Sequence, residues 1–149
     1  MADYYGVSAT KAITPIMDNR LDPGVFGGKV RCMLDSFEAA GEVATKTIQV
    51  GQALPIGSRV IAVLVAFDDL SGAGATIDIG DADNDDRYAS AIDVATAASY
   101  SVGTLVDGFC YKVLGTGLTA GGDDTKILIT INTAAITGTL KAAILYVAE

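Results

Sequence analysis

The sequence predicts an all-β protein: a single-domain β-sandwich or barrel with an extended N-terminal arm. Three observations predict it. Short stretches rich in Val, Ile and Thr alternate with polar residues at a period of two. Clusters of Gly, Asp and Ser separate them at near-regular intervals. The first 28 residues follow neither the strand period nor the helix period. A chain of 149 residues fits one domain, and it is long enough to bury a core without disulfides or metal.

Residues 1–28 are the expected arm and 29–149 the body. Pro15, Pro23, Gly24, Gly27 and Gly28 break up the arm, yet it is not hydrophilic. Tyr4, Tyr5, Val7, Ile13, Ile16, Met17, Leu21 and Phe26 are scattered through it. Leaving such side chains in water forgoes about 1.5–3 kcal/mol for each large one. The arm is therefore expected to dock, on its own body or on a neighbouring subunit. Tyr4, Tyr5, Ile13, Ile16, Met17, Leu21 and Phe26 are its candidate contact residues.

The body reads as a series of strands. Lys29–Phe37 alternates, with Val30, Cys32 and Leu34 on one face and Arg31 and Asp35 on the other. Glu38–Glu42 reads as a small-residue break, followed by a short strand at Thr45–Val50. The turn Leu54-Pro55-Ile56-Gly57 leads into Ser58–Phe67, whose apolar run suggests a strand buried on both faces. Ala75–Gly80, Tyr88–Val94, Phe109–Leu114, Lys126–Asn132 and Thr139–Val147 continue the series. Ala89–Ser99 is Ala-rich and could be helical, but Thr96, Ser99 and the flanking signals favour strand plus turn. The last strand ends so near the C-terminus that the chain end should be tied into a sheet. Cys32 and Cys110 have no paired spacing and are expected as buried free thiols.

Charge and composition exclude several functions. Ten basic and 18 acidic residues give a formal charge of −8, which repels nucleic acid and anionic membranes. The longest apolar run, Val60–Phe67, is far short of a bilayer span, and the N-terminus lacks a secretion signal, so a soluble cytoplasmic product is expected. With no histidine, Ser-His-Asp and Cys-His catalysis and His-ligated zinc are ruled out.

Other motifs fail on spacing. Asp81-Ala82-Asp83-Asn84-Asp85-Asp86 begins like a calcium loop, but Asp86 stands where Gly is needed and Ile92 where Glu is needed. A solvated acidic loop tip, partly neutralised by Arg87, is the expectation. The glycines around Gly24–Lys29 and Gly115–Ala120 lack the residues or the following helix of a phosphate-binding loop. Asp68-Asp69 and Asp123-Asp124 sit beside turn residues, where Asp usually bonds its own backbone. No enzyme activity, cofactor or metal is expected.

Three stretches carry a family resemblance: MADYYGVSATKAITPI at the start, NRLDPGVFGGKVR from Asn19 to Arg31, and ATIDIGDADNDDRYASAIDVATAAS from Ala75 to Ser99. Together they resemble the small head decoration, or capsid cement, proteins of tailed bacteriophages. The resemblance implies a β-sandwich or jelly-roll-like body, commonly a homotrimer, on the outer surface of the virion capsid. It also implies synthesis in the host cytoplasm and an arm lying over the major capsid protein or an adjacent decoration subunit. A tail, neck or receptor-binding component of the particle, or a small carbohydrate-binding β-sandwich module, is the alternative.

Overall fold

The computed structural model describes residues 29–70, 74–102, 108, 110–116 and 123–148. The arm, with all its candidate contact residues, lies outside them. Eight strands follow in order: β1 (Lys29–Glu42), β2 (Thr47–Val50), β3 (Arg59–Phe67), β4 (Thr76–Gly80), β5 (Ala89–Asp93), β6 (Ala98–Val102), β7 (Ile127–Asn132) and β8 (Ile136–Ala148). There is no helix among the described residues. The chain is an all-β sandwich, as its sequence predicts.

Two four-stranded antiparallel sheets form, sheet A in the order β1-β8-β3-β6 and sheet B in the order β2-β7-β4-β5. The first strand thus pairs with the last, the second with the seventh, and so on inward. This is the pattern of one long antiparallel hairpin rolled up on itself. Between the sheets lies a core from alternate residues of both: Val63, Val65, Leu140 and Ile144 from sheet A, and Ile77, Ile79, Ile127, Ile129 and Ile131 from sheet B. β7 shows why these residues make a half-buried strand. ILITIN places Ile127, Ile129 and Ile131 inward and Leu128, Thr130 and Asn132 outward, and β-branched side chains suit the pleat.

Several expectations are corrected. Glu38–Glu42 is no break: β1 runs on to Glu42, with a register shift between Ala40 and Glu42 and Gly41 at φ 96° absorbing the irregularity. β3 is not buried on both faces, because nothing in the described chain covers its outer side; Leu64 and Ala66 are exposed while Val63, Val65 and Phe67 are buried. Of the expected strand Phe109–Leu114, the described residues, 110–114, belong to neither sheet. Cys110 has φ 52°, and the segment lies against the start of β3 through an isolated bridge, Lys112 with Arg59. β6 was not expected at all, since ASYSV carries little apolar signal. Other expectations hold. Ala89–Ser99 is not helical but strand then turn, although β6 already begins at Ala98, and the C-terminal strand β8 sits inside sheet A, paired on both sides.

The core predicts the pattern of sensitivity. Ile129→Ala should cost about 2–5 kcal/mol in a urea titration, from lost burial plus the cavity left behind. Leu34→Ala, on the outer face of β1, should stay within about 0.5 kcal/mol of the parent.

Candidate assembly surface

Sheet A is apolar on both sides. The register of β1 on β8 and of β3 on β8 aligns outward-facing rows across three strands: Leu34–Ala143–Leu64, and beside it Cys32–Leu145–Ala62. Leu34 is 76% exposed, Val30 62% and Leu64 38%. Ile61, the extra residue of a β3 bulge, is 36% exposed. Of the seven large hydrophobic side chains exposed among the described residues, these four share one sheet face. The next outward row, Ser36–Lys141–Ala66, turns polar, and beyond it the Thr139 hydroxyl donates to Glu38 Oε2 at 2.7 Å. The patch is therefore bounded, and it occupies the end of the sheet at which residue 29 enters.

Sheet B provides the contrast. Its outer rows are Gln49–Leu128–Gly80, Thr47–Thr130–Asp78 and Thr76–Asn132, in which Leu128 is the one large apolar side chain. Apolar content is thus lopsided, concentrated on one outer face. Such patches mark interaction surfaces when they are contiguous. β1 is also an edge strand, and at its margin a groove of about 560 Å³ runs between it and the β2–β3 connection, lined by Cys32, Leu34, Gln52 and Pro55 among others. Asp35 closes the floor of that edge by accepting the Gly51 N–H at 2.7 Å.

A chain of polar contacts fixes three connections to one another. Asp81 accepts the N–H groups of Asp83 and Asn84, both at 2.9 Å, and the Arg87 Nε–H at 2.5 Å. Arg87 also donates through Nη2 to Asp83 at 2.7 Å. Its guanidinium lies 3.8 Å from the centroid of the Tyr111 ring, a cation–π contact. The Tyr111 hydroxyl donates to Asp124 at 2.7 Å, and Asp124 further accepts the Leu114 and Gly115 N–H groups. Two glycines make the approach possible. A Cβ on Gly80 would fall 2.1 Å from the Asn84 carbonyl oxygen, and one on Gly108 2.4 Å from that of Arg87.

Burial alone would lower the Arg87 pKa, but the Asp81 hydrogen bond and charge outweigh it, and the net shift is upward. Burial, with the Asp81 charge behind it, holds the Tyr88 phenol well above its usual range. Burial and the Asp124 hydrogen bond do the same for Tyr111. The Asp123 carboxyl is held low by the hydroxyl and N–H of Thr125.

These findings revise the reading of the acidic segment and the thiols. Arg87 neutralises Asp81 and Asp83 as expected, but Asp81 and Arg87 are buried, so the start of Asp81–Asp86 is an ion-paired turn folded onto the body, and only Ala82 and Asp85 are exposed. Among the described residues, no group of three or more Cys, Asp or Glu side chains could hold a metal ion. Both cysteines are exposed rather than buried. Strand parity puts Cys32 on the outer face of sheet A, and Cys110 sits in a turn. Asp68 and Asp69 are exposed, while Asp124 is spent on the contacts above. The apolar rows were the missed feature. Their signal was present in the apolar run of β3 and in the alternation of Val30, Cys32 and Leu34.

Comparison with known proteins places this fold. No protein-family model matches the chain, and no curated protein does. Among solved structures, it is similar to a chain of the Cyanophage Pam1 capsid asymmetric unit, with 27% identity, 83% of this chain and 88% of that one covered, and a TM-score of 0.66. It also resembles in fold a chain of the capsid of Ralstonia phage GP4, at 17% identity, 82% and 86% coverage, and a TM-score of 0.58.

Removing the guanidinium strands the buried Asp81 charge. Arg87→Leu should therefore cost about 3–5 kcal/mol in urea unfolding. The Tyr88 hydroxyl is buried without a hydrogen-bond partner, so Tyr88→Phe should gain about 1 kcal/mol. Because folding raises the Tyr88 and Tyr111 pKa values above the unfolded value of 10.0, their contribution is intact below pH 10 and is lost as pH climbs beyond it. Urea midpoints should hold steady from pH 8 to 9.5 and fall above pH 10, less steeply in Tyr88→Phe.

Proposed function

We propose that this chain is a non-enzymatic structural protein of a phage virion, a capsid decoration or cement protein. In this role it sits on the outer surface of the shell and stabilises it by bridging subunits of the major capsid protein. The observation that carries the proposal is the likeness to a chain of the Pam1 capsid, which spans most of both chains at 27% identity. The one-sided distribution of apolar surface supports it, because a bridging subunit needs one face to bury and another that stays in water. The order β1-β8-β3-β6 against β2-β7-β4-β5 supports the jelly-roll form of the sandwich.

Bridging works through multiplicity. An arm that orders on binding loses about 2–5 kcal/mol of its gross interaction energy. Tethering several arms in one closed oligomer, a homotrimer in this proposal, recovers affinity by about 10²–10⁴-fold through effective concentration. Tyr4, Tyr5, Ile13, Ile16, Met17, Leu21 and Phe26 are the arm contacts in this scheme. The formal charge of −8 keeps the unassembled subunits apart in solution.

Copy number in purified particles tests the role. A ratio to the major shell protein fixed by the lattice and near stoichiometric is expected; a few copies would move the protein to the neck, tail or a vertex, and absence would remove it from the virion. Deleting residues 1–28 should leave the β-rich circular dichroism spectrum intact and lower particle binding by about 100-fold or more. Unchanged binding by the folded truncation would discard the arm as the docking element.

A further inference from the structure

The β1 edge of sheet A stands apart from the other sheet edges. Among the described residues, β1 and β6 border sheet A, and β2 and β5 border sheet B. β2, β5 and β6 are four or five residues long, and such short edges resist pairing with another chain. β1 runs from Lys29 to Glu42, carries no proline, and keeps a regular register from Lys29 to Ala40. Its alternate residues turn backbone N–H and C=O groups to a side where the described chain supplies no strand. The groove of about 560 Å³ at its margin leaves room there.

The charges on this edge complement themselves. Lys29, Arg31, Asp35 and Glu38 are all exposed. When two copies of β1 pair antiparallel about a twofold axis normal to the sheet, the outer faces stay on one side and the register is centred on one residue. Within Lys29–Ala40, centring on Arg31, Asp35 or Glu38 sets a charge against its own copy, which is unfavourable. Only two registers in that stretch put opposite charges directly across. Centring on Cys32 sets Lys29 opposite Asp35; centring on Met33 sets Arg31 opposite Asp35. The second overlaps more chain, Lys29–Phe37 against Lys29–Asp35.

We propose that β1 is a self-complementary edge to which a second copy of this chain adds its own β1 antiparallel, with Met33 opposite Met33 and Arg31 opposite Asp35. The contact is isologous, so the Arg31–Asp35 pair forms twice and the interface closes at two edges. Roughly eight to ten backbone hydrogen bonds join the sheets. Across the joint, Leu34 faces Cys32 of the second copy. The row Leu64–Ala143–Leu34 therefore runs on into Cys32–Leu145–Ala62 of that copy, and two bounded apolar patches become one. The contact goes beyond the virion reading and stands or falls without it.

Sedimentation of the purified full-length protein tests the contact without particles. An even number of copies is expected; a monomer or an odd number overturns the proposal. Arg31→Glu should halve the mass, and so should Asp35→Arg, because each sets like charges face to face twice. An equimolar mixture of the two variants should restore the full mass, since each introduced charge then faces its opposite. An unchanged mass for Arg31→Glu, or a mixture that stays apart while both circular dichroism spectra are intact, overturns it. Asp35 also holds the Gly51 N–H, so a second pair of variants leaves both charges in place. One chain carries Cys110→Ser and keeps the exposed Cys32. The other carries Leu34→Cys with Cys32→Ser and Cys110→Ser. Directly opposite positions lie about 4.5–5.5 Å apart between Cα atoms, within disulfide range. Mild oxidation of the mixture should give a disulfide-linked heterodimer. Its yield should exceed that of either chain alone at least tenfold, because like positions sit on the diagonal, about 7–8 Å apart. No heterodimer, with both thiols still labelled by a maleimide, overturns the proposal. A higher yield from the first chain alone overturns the register centred on Met33.

Discussion

The structure depends on β8 lying in the middle of sheet A. Both its backbone edges are paired, to β1 along its whole length and to β3 along most of it, so the registers of those strands are both set against one template. A one-residue slip of either would turn its core residues to the solvent and its outer residues to the core. The inward Leu140, Ala142 and Ile144 oppose that slip on one side. What differs from most half-solvated sheets is that β8 also places Ala143 and Leu145 outward. Two-sided apolarity is therefore built into the template strand, and β1 and β3 extend it sideways.

The ends and faces of the sandwich are divided between two kinds of chemistry. One outer face is apolar and bounded by Ser36, Lys141, Glu38 and Thr139. Away from it, buried charge is neutralised locally by Arg87 between Asp81 and Asp83, and Asp124 is satisfied by three donors. A carboxylate in such surroundings is tolerable only because every partner is present. The connections that carry these groups are thereby held to the body, without adding polar surface to the apolar face.

Much of the fold was legible in the sequence because strand period and turn residues act locally. β7 and β4 alternate cleanly, and Asp123 bonds the Thr125 backbone as a turn aspartate should. The failures have physical causes. Alternation in β1 is plain, but its sign is not: Arg31 and Asp35 share the parity of the core-facing Met33 and Phe37, because at an edge the inward row can reach round to a loop, as Asp35 does to Gly51. Phe109–Leu114 has strand-like composition, yet it lies against the start of β3 by bonds such as Val60 N–H to the Tyr111 carbonyl, and a positive φ at Cys110 interrupts it. β6 pairs with β3 along Val63–Phe67, and Ala98 packs against the core. Asp81 looked solvated because the sequence offers Arg87 as its partner without showing that the pair folds onto the body. The arm contacts fall outside the described residues.

The place where the arm joins the body also decides how the molecule bears load. Tension drawn through residues 1–28 enters at Lys29, the first residue of β1, which is paired with Ala148 at the far end of β8. Pulled along the strand axis, the antiparallel ladder is sheared, and its hydrogen bonds share the force and must yield together. Pulled across the sheet, the same ladder would open one pair at a time, as a zipper does. The direction of pull therefore sets the mechanical strength of the joint without any change in its contacts, and an arm that leaves in line with β1 makes the body a stiff anchor.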